Sequence, residues 1–188
     1  VTDTTSLSRT PTFLLALETM WPEVPVTVCH TGQRYYIADA TIEILHTHED
    51  FFPHDIIMQS QDPVNGATVV FSVELAGQKI MFLGDSAVDC SKDTLKMWGS
   101  YLKSDIMQAA HHGLNGGSVP LYEAIDADVL LWPCGVASID GSYERLMERD
   151  YNAKAVELAE EVYIAGKFIH TLPLPYTPED VETPRIIY

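Results

Sequence analysis

Runs of apolar residues separated by short polar stretches predict a chain that begins with strands and ends with alternating strands and helices. The clearest unit is the segment 67–85, in which two strand-like runs flank Ala76-Gly77-Gln78 and predict a hairpin. In the strand predicted at 40–45, polar and apolar residues alternate, which is typical of a half-buried strand. The shorter strand signals upstream of the hairpin are 26–29, 34–37 and 40–45.

Helical patterns appear at the start of the chain and between the later apolar runs. Thr10 and Ser118 each stand where an N-cap would begin a helix. The predicted helices are 10–21, 87–99, 118–125 and 152–162, and the predicted later strands are 105–110, 128–133 and a final strand or hairpin in 163–172. This order predicts an α/β domain whose sheet carries helices on one face, followed by an extended proline-rich tail at 173–188.

Composition narrows the class of partner. The 188 residues suit one domain, and 46% of them are hydrophobic, enough for a core. A formal net charge of −16 repels phosphate backbones, so long nucleic acid is not expected as a partner unless a metal supplies positive charge. Three widely spaced cysteines (Cys29, Cys90 and Cys134) argue against a disulfide framework. With no signal peptide and no apolar span of membrane length, we expect a cytoplasmic protein.

Two polar clusters follow apolar strands at the points where chemistry is most often found. Asp85 follows Gly84 at the end of the hairpin, and His111 and His112 follow the strand 105–110. Because parallel strands present their carboxyl ends at one edge of a sheet, we expect Asp85 and one histidine in the same crevice. Carboxylate oxygen and imidazole nitrogen both bind zinc. One histidine would bind the metal, and the other would hold substrate or act as an acid.

A simpler interpretation exists for each cluster taken alone. Asp85 or Ser86 could cap the following helix, and adjacent histidines in a loop are often exposed to solvent. The two clusters together, each beside a glycine at a strand exit, favour a site. The loop 114–118 (LNGGS) would form its rim with free backbone N–H groups.

The stretches FLGDS, LKSDIMQAAHHG and ADVLLWPCG resemble the C-terminal half of the metallo-β-lactamase superfamily. They are most similar to the bacterial branch that includes the soluble domain of competence DNA-uptake proteins, which also has an asparagine where Asn65 stands. The resemblance implies an αββα sandwich, of which residues 1–188 would be a single partial domain: the second half and part of the first. It also implies that Asp85 bridges two metal ions and that His111 or His112 completes one metal's ligands.

The chain departs from the family in its leading motif, His-x-His-x-Asp-His. In HTHEDF, His46, His48 and Asp50 match the first three ligands, but Phe51 stands in place of the last histidine. The interval to Asp85 is short for the family. We therefore interpret HTHEDF as a coincidence at a solvated strand end, with the true motif upstream of this chain. The alternative, a degenerate motif, predicts that His46, His48 and Asp85 converge.

The resemblance implies that the parent protein is a metal-dependent hydrolase that uses zinc or another divalent metal on a small ester or phosphate ester. Asp85, His111 and His112 would form its site, and this chain alone could lack both metal and activity. The alternative is a non-catalytic α/β assembly or binding module. Half of a sandwich would leave an apolar sheet face bare, to be covered by a second copy or by the missing N-terminal half.

Overall fold

The computed structural model describes residues 10–47, 65, 68–114, 116–134, 146–165 and 169–188. Within these ranges the chain forms one mixed β-sheet and four α-helices, which confirms the predicted α/β class. The strands are β1 (Arg34–Ile37), β2 (Ala40–His46), β3 (Val70–Leu75), β4 (Gln78–Phe82), β5 (Ile106–Gln108), β6 (Val129–Trp132), β7 (Glu161–Ile164) and β8 (Arg185–Ile187). The α-helices are α1 (Thr10–Met20), α2 (Val88–Trp98), α3 (Val119–Ile125) and α4 (Asp150–Leu158).

The eight strands lie in the sheet in the same order as in the chain. β1 to β4 are antiparallel neighbours, and β4 to β8 run parallel. α2, α3 and α4 connect successive parallel strands, and neighbouring helices in this series pack against each other. They therefore lie on one face of the sheet, as predicted. The carboxyl ends of β4, β5 and β6 meet at one edge, where a site is expected in an open parallel sheet.

The core lies between the sheet and these helices. Met81, Met107, Leu130 and Val162 occupy matching positions on four adjacent strands, and all four are buried. Tyr122 of α3 is also completely buried in this cluster. A continuous apolar row across parallel strands is what a covered parallel sheet requires. The result is a rigid base for the loops that follow β4 and β5.

The C-terminal segment covers part of the opposite face. The backbone N–H of Tyr176 donates to the Gln78 side chain at 2.5 Å, and its carbonyl accepts from the same side chain at 2.6 Å. The Tyr176 hydroxyl donates to Glu161 at 2.6 Å. These contacts lie near the amino-terminal ends of β4 and β7. At these residues the chain itself covers the face that we expected to be bare, and cover of the rest by a second copy or an N-terminal half stays a prediction.

Several element predictions were wrong in detail. Residues 26–29 do not form a strand. β2 does not alternate between buried and half-exposed residues, because its last four residues are all buried. The helix predicted at 152–162 ends at Leu158, because the N–H groups of Glu160 and Glu161 donate to Asp128 and lead the chain into β7. The sequence analysis also missed β8.

The specific αββα sandwich is not shown. A four-layer sandwich needs two stacked sheets, and the described ranges form a single sheet.

Among the same residues, no helix is long and apolar enough to cross a bilayer.

Candidate functional site

Asp85 lies in a tight turn directly after β4. Gly84 has φ +55°, and a Cβ atom built on it would lie 2.6 Å from the methyl group of Thr68. Only glycine fits this position without a shift of its neighbour. The turn places Asp85 at the carboxyl edge of the sheet, with its side chain 45% exposed and so accessible to a ligand.

The two histidines form a second tight turn after β5. His111 and His112 have φ of 46° and 54°, a left-handed conformation that costs energy for residues other than glycine. The turn is held from its far side. A Cβ atom on Gly113 would lie 2.5 Å from the Trp132 ring, and the Trp132 indole N–H donates to the carbonyl of His112 at 2.8 Å. Strain of this kind is often found at functional sites.

The structure brings Asp85 and His112 into contact. His112 Nε2 lies 3.2 Å from Asp85 Oδ1, and His112 Nδ1 lies 2.7 Å from the carbonyl oxygen of Pro133. A carbonyl can only accept a hydrogen bond, so Nδ1 is the donor. In the neutral ring Nε2 then turns its lone pair toward the carboxylate. Two acceptors this close are stable only if they share a proton or a cation between them.

His111 occupies a different environment. Its backbone N–H donates to the carbonyl of Gly84 at 2.9 Å, which joins the two turns. Its Nε2 lies 3.1 Å from the side-chain nitrogen of Asn65. Its Nδ1 is buried and has no hydrogen-bond partner among the residues that the structure describes. The sequence left open which histidine lies with Asp85, and in the structure it is His112.

The loop after the histidines packs on the turn that holds Asp85. Ala87 and Gly116 form an isolated β-bridge, and Gly117 donates its N–H to the Ser86 carbonyl at 3.3 Å. A Cβ atom on Gly116 would lie 2.5 Å from the same carbonyl oxygen. The expectation that the rim offers free N–H groups is therefore wrong at Gly117. Its N–H instead joins the rim loop to the turn that holds Asp85.

The remaining predicted ligands are placed only in part. His46 is the last residue of β2 and is completely buried, with Nδ1 3.4 Å from Cys90 Sγ. The expectation of a solvated strand end is thus wrong for His46. His48 and Asp50 lie outside the described residues, so the alternative in which His46, His48 and Asp85 converge stays untested.

The Asp85–His112 pair offers two of the ligand types that bind divalent cations. A metal-binding histidine usually donates its second ring N–H to a carbonyl or carboxylate, and His112 donates to Pro133 in this way. The pair supplies two ligands, whereas zinc usually takes three or four. No group of three or more histidine, cysteine, aspartate or glutamate side chains that could hold a metal occurs in the described part of the chain.

Three supporting side chains were missed by the sequence analysis. Gln108 bonds to both backbone groups of Gly84, at 2.7 and 3.2 Å. The amide of Asn152, on α4, donates to the Gly113 carbonyl at 2.8 Å. The indole N–H of Trp132, on β6, donates to the His112 carbonyl at 2.8 Å. The one available signal was Gln108, a polar residue at the end of an otherwise apolar strand.

Comparison with known proteins adds no family assignment, since neither a protein-family model nor a curated protein matches this chain.

Proposed function

We propose that this chain carries part of the metal site of a metal-dependent hydrolase, with Asp85 and His112 as two of the metal's ligands. The observation that supports it most is the geometry of the His112 ring. Its Nδ1 donates to the Pro133 carbonyl, and its Nε2 faces the Asp85 carboxylate. Zinc is the expected metal, since its usual ligands include both groups. The remaining ligands would come from water, substrate or residues outside the described ranges.

A bound divalent metal would polarise the substrate and generate a nucleophilic water at neutral pH. The chain's own residues would hold and orient the metal. Pro133 fixes the ring of His112, and the Gly84 turn presents Asp85 at the open edge of the sheet. His111, whose N–H anchors its turn to Gly84, fixes the spacing of the two turns. The proposed substrate class is a small ester, with a phosphate ester preferred on the family resemblance.

The proposal is tested by hydrolysis of bis-p-nitrophenyl phosphate with purified protein, with and without added zinc. We expect zinc-dependent turnover that a chelator abolishes and that zinc restores. His112→Ala removes a proposed ligand and should lower kcat/KM by at least about a hundredfold, more than the loss of a residue that only orients a ligand. No turnover with added zinc, turnover that survives chelation, or turnover that is unchanged in His112→Ala would overturn the proposal.

The second candidate is a non-catalytic assembly module. Exposed apolar side chains favour it: Tyr36 and Ile37 lie on the edge strand β1, and Trp21 and Val24 follow α1. Exposed apolar patches commonly mark contacts with other proteins. A concentration-dependent dimer in light scattering, together with no metal-dependent turnover, would favour this candidate over the hydrolase.

A further inference from the structure

The side chain of Gln108 binds the backbone on which Asp85 is mounted. Its Oε1 accepts from the N–H of Gly84 at 2.7 Å, and its Nε2 donates to the carbonyl of Gly84 at 3.2 Å. Nε2 also donates to the carbonyl of Ala109. Both ends of the amide are therefore used, and the amide joins the end of β5 to the turn after β4.

Gly84 is the point at which the two turns of the site meet. Its carbonyl accepts from Gln108 and also from the backbone N–H of His111. The next residue is Asp85, and the residue after His111 is His112. The hydrogen bonds of Gly84 therefore control the separation of the carboxylate and the imidazole, which is 3.2 Å between Oδ1 and Nε2.

Packing alone does not explain an amide at this position. Gln108 is aligned with Phe82 on one neighbouring strand and with Leu131 on the other. An apolar side chain would suit this row, whereas an amide in such surroundings is unfavourable unless its polar atoms are bonded. The bonds that satisfy it all go to the backbone of the site.

We propose that Gln108 is a positioning residue, which holds Asp85 and His112 at the spacing that a shared cation requires. Its effect on metal affinity rests on the function proposed above, whereas its effect on the geometry of the two turns does not. A positioning residue of this kind acts through the backbone of Gly84 and touches neither metal nor substrate.

The test replaces Gln108 with Met, which keeps the length of the side chain and removes all three hydrogen bonds. Gln108→Val is a second variant, for use if the Met variant does not fold, since valine is favoured in strands. Two quantities are measured in each: the affinity for zinc by competition with a chromophoric chelator, and the hydrogen-exchange rates of the Gly84 and His111 amides by NMR.

Gln78 provides a matched control. It lies at the opposite end of the sheet and bonds to both backbone groups of Tyr176, just as Gln108 bonds to those of Gly84. Gln78→Met therefore loses a comparable pair of bonds away from the site. Both substitutions should lower the melting temperature. If Gln108 had only a structural role, Gln108→Met and Gln78→Met would have the same effect on zinc affinity.

We expect Gln108→Met to weaken zinc binding by about tenfold to a hundredfold, the usual range for a residue that orients a metal ligand, and Gln78→Met to leave it unchanged. The Gly84 and His111 amides should exchange faster only in the Gln108 variants. Zinc affinity and amide exchange that are unchanged in both Gln108 variants would overturn the proposal. So would a loss of zinc affinity in Gln78→Met equal to that in Gln108→Met. If the wild-type protein binds no zinc, the proposed function fails, and amide exchange alone decides the role of Gln108.

Discussion

At the scale of single residues, the site depends on backbone conformations that are unfavourable in isolation. His111 and His112 both take left-handed conformations, and Gly113 follows with φ +77°. The Trp132 ring lies where a side chain on Gly113 would be. The sequence indicates this much through its glycine after two histidines, but the contact with Trp132 comes from a strand about twenty residues later and has no local signal.

Gly113→Ala should destabilise the protein by about 2–4 kcal/mol, because it adds both a left-handed alanine and a clash with Trp132. Gly77→Ala is the matched control, since Gly77 has φ +80° but nothing within 4 Å of its Cβ position. It should cost only about 1–2 kcal/mol, the backbone contribution alone. Urea unfolding measures both, and equal losses would contradict the role given to Trp132.

Cys90 should be the slowest of the three cysteines to react. Burial raises the pKa of its thiol to about 11, so the thiolate is scarce at neutral pH, and its side chain is also inaccessible. Cys29 and Cys134 are partly exposed. Mass-spectrometric mapping after iodoacetamide treatment of the native protein should find these two modified first. Equal rates for all three in the native state, as expected only in denaturant, would refute the burial of Cys90.

At the scale of elements, local patterns predicted what local interactions form. The predicted hairpin of β3 and β4 forms, with its turn at Ala76-Gly77, whereas Gln78 already pairs with Leu75. The Ser118 side chain caps α3 by accepting from the Leu121 N–H at 3.3 Å. The end of α4 could not be predicted, because the following helix-like residues pair with β6 instead. β8 has only three residues and is a strand only because β7 pairs with it.

The tail should be released from the sheet in acid. Burial alone would raise the pKa of Glu161, but hydrogen bonds from Tyr176 and Tyr163 outweigh it. With Arg185 also contributing, the pKa falls below its ordinary value of 4.5. A carboxylate whose pKa is lowered by folding stabilises the folded state at a pH above its pKa in the unfolded chain. This stabilisation is lost as the pH falls through its pKa in the folded protein.

Hydrogen exchange in residues 169–188 should therefore be slow at neutral pH and accelerate as the pH falls below about 4.5, once intrinsic exchange rates are accounted for. Glu161→Gln should show fast exchange at neutral pH and little further change. Glu160→Gln, which changes the neighbouring carboxylate, is the control and should behave like wild type. A tail in Glu161→Gln as protected as in wild type would contradict the role of this carboxylate.

At the scale of the whole molecule, topology explains how residues far apart in sequence reach one site. Strand exits and a βαβ order were enough to predict that Asp85 meets one histidine. They could not choose His112 over His111, because that choice depends on the Pro133 carbonyl and on the left-handed turn. The second sheet of the expected sandwich stays a prediction, and so does the alternative in which His46, His48 and Asp85 converge.

The net charge of −16 should make the proposed hydrolase discriminate by substrate charge. Repulsion between the protein and a single-stranded oligonucleotide is long-ranged at low ionic strength and is screened within about 10 Å near 0.1 M salt. KM for an oligonucleotide should therefore fall as salt rises, whereas KM for an uncharged ester should not. A KM that rises with salt would indicate a basic substrate path and contradict this account.

The most direct test of the central claim is the metal content of the purified protein, measured by plasma mass spectrometry for wild type and Asp85→Asn. Asp126→Asn is the matched control, since Asp126 is a similarly exposed carboxylate in an ion pair with Lys103, outside the proposed site. The account predicts about one or two zinc, manganese or iron ions per chain in wild type and Asp126→Asn, and a clear loss in Asp85→Asn. No metal above background in wild type, or equal metal in Asp85→Asn, would contradict it.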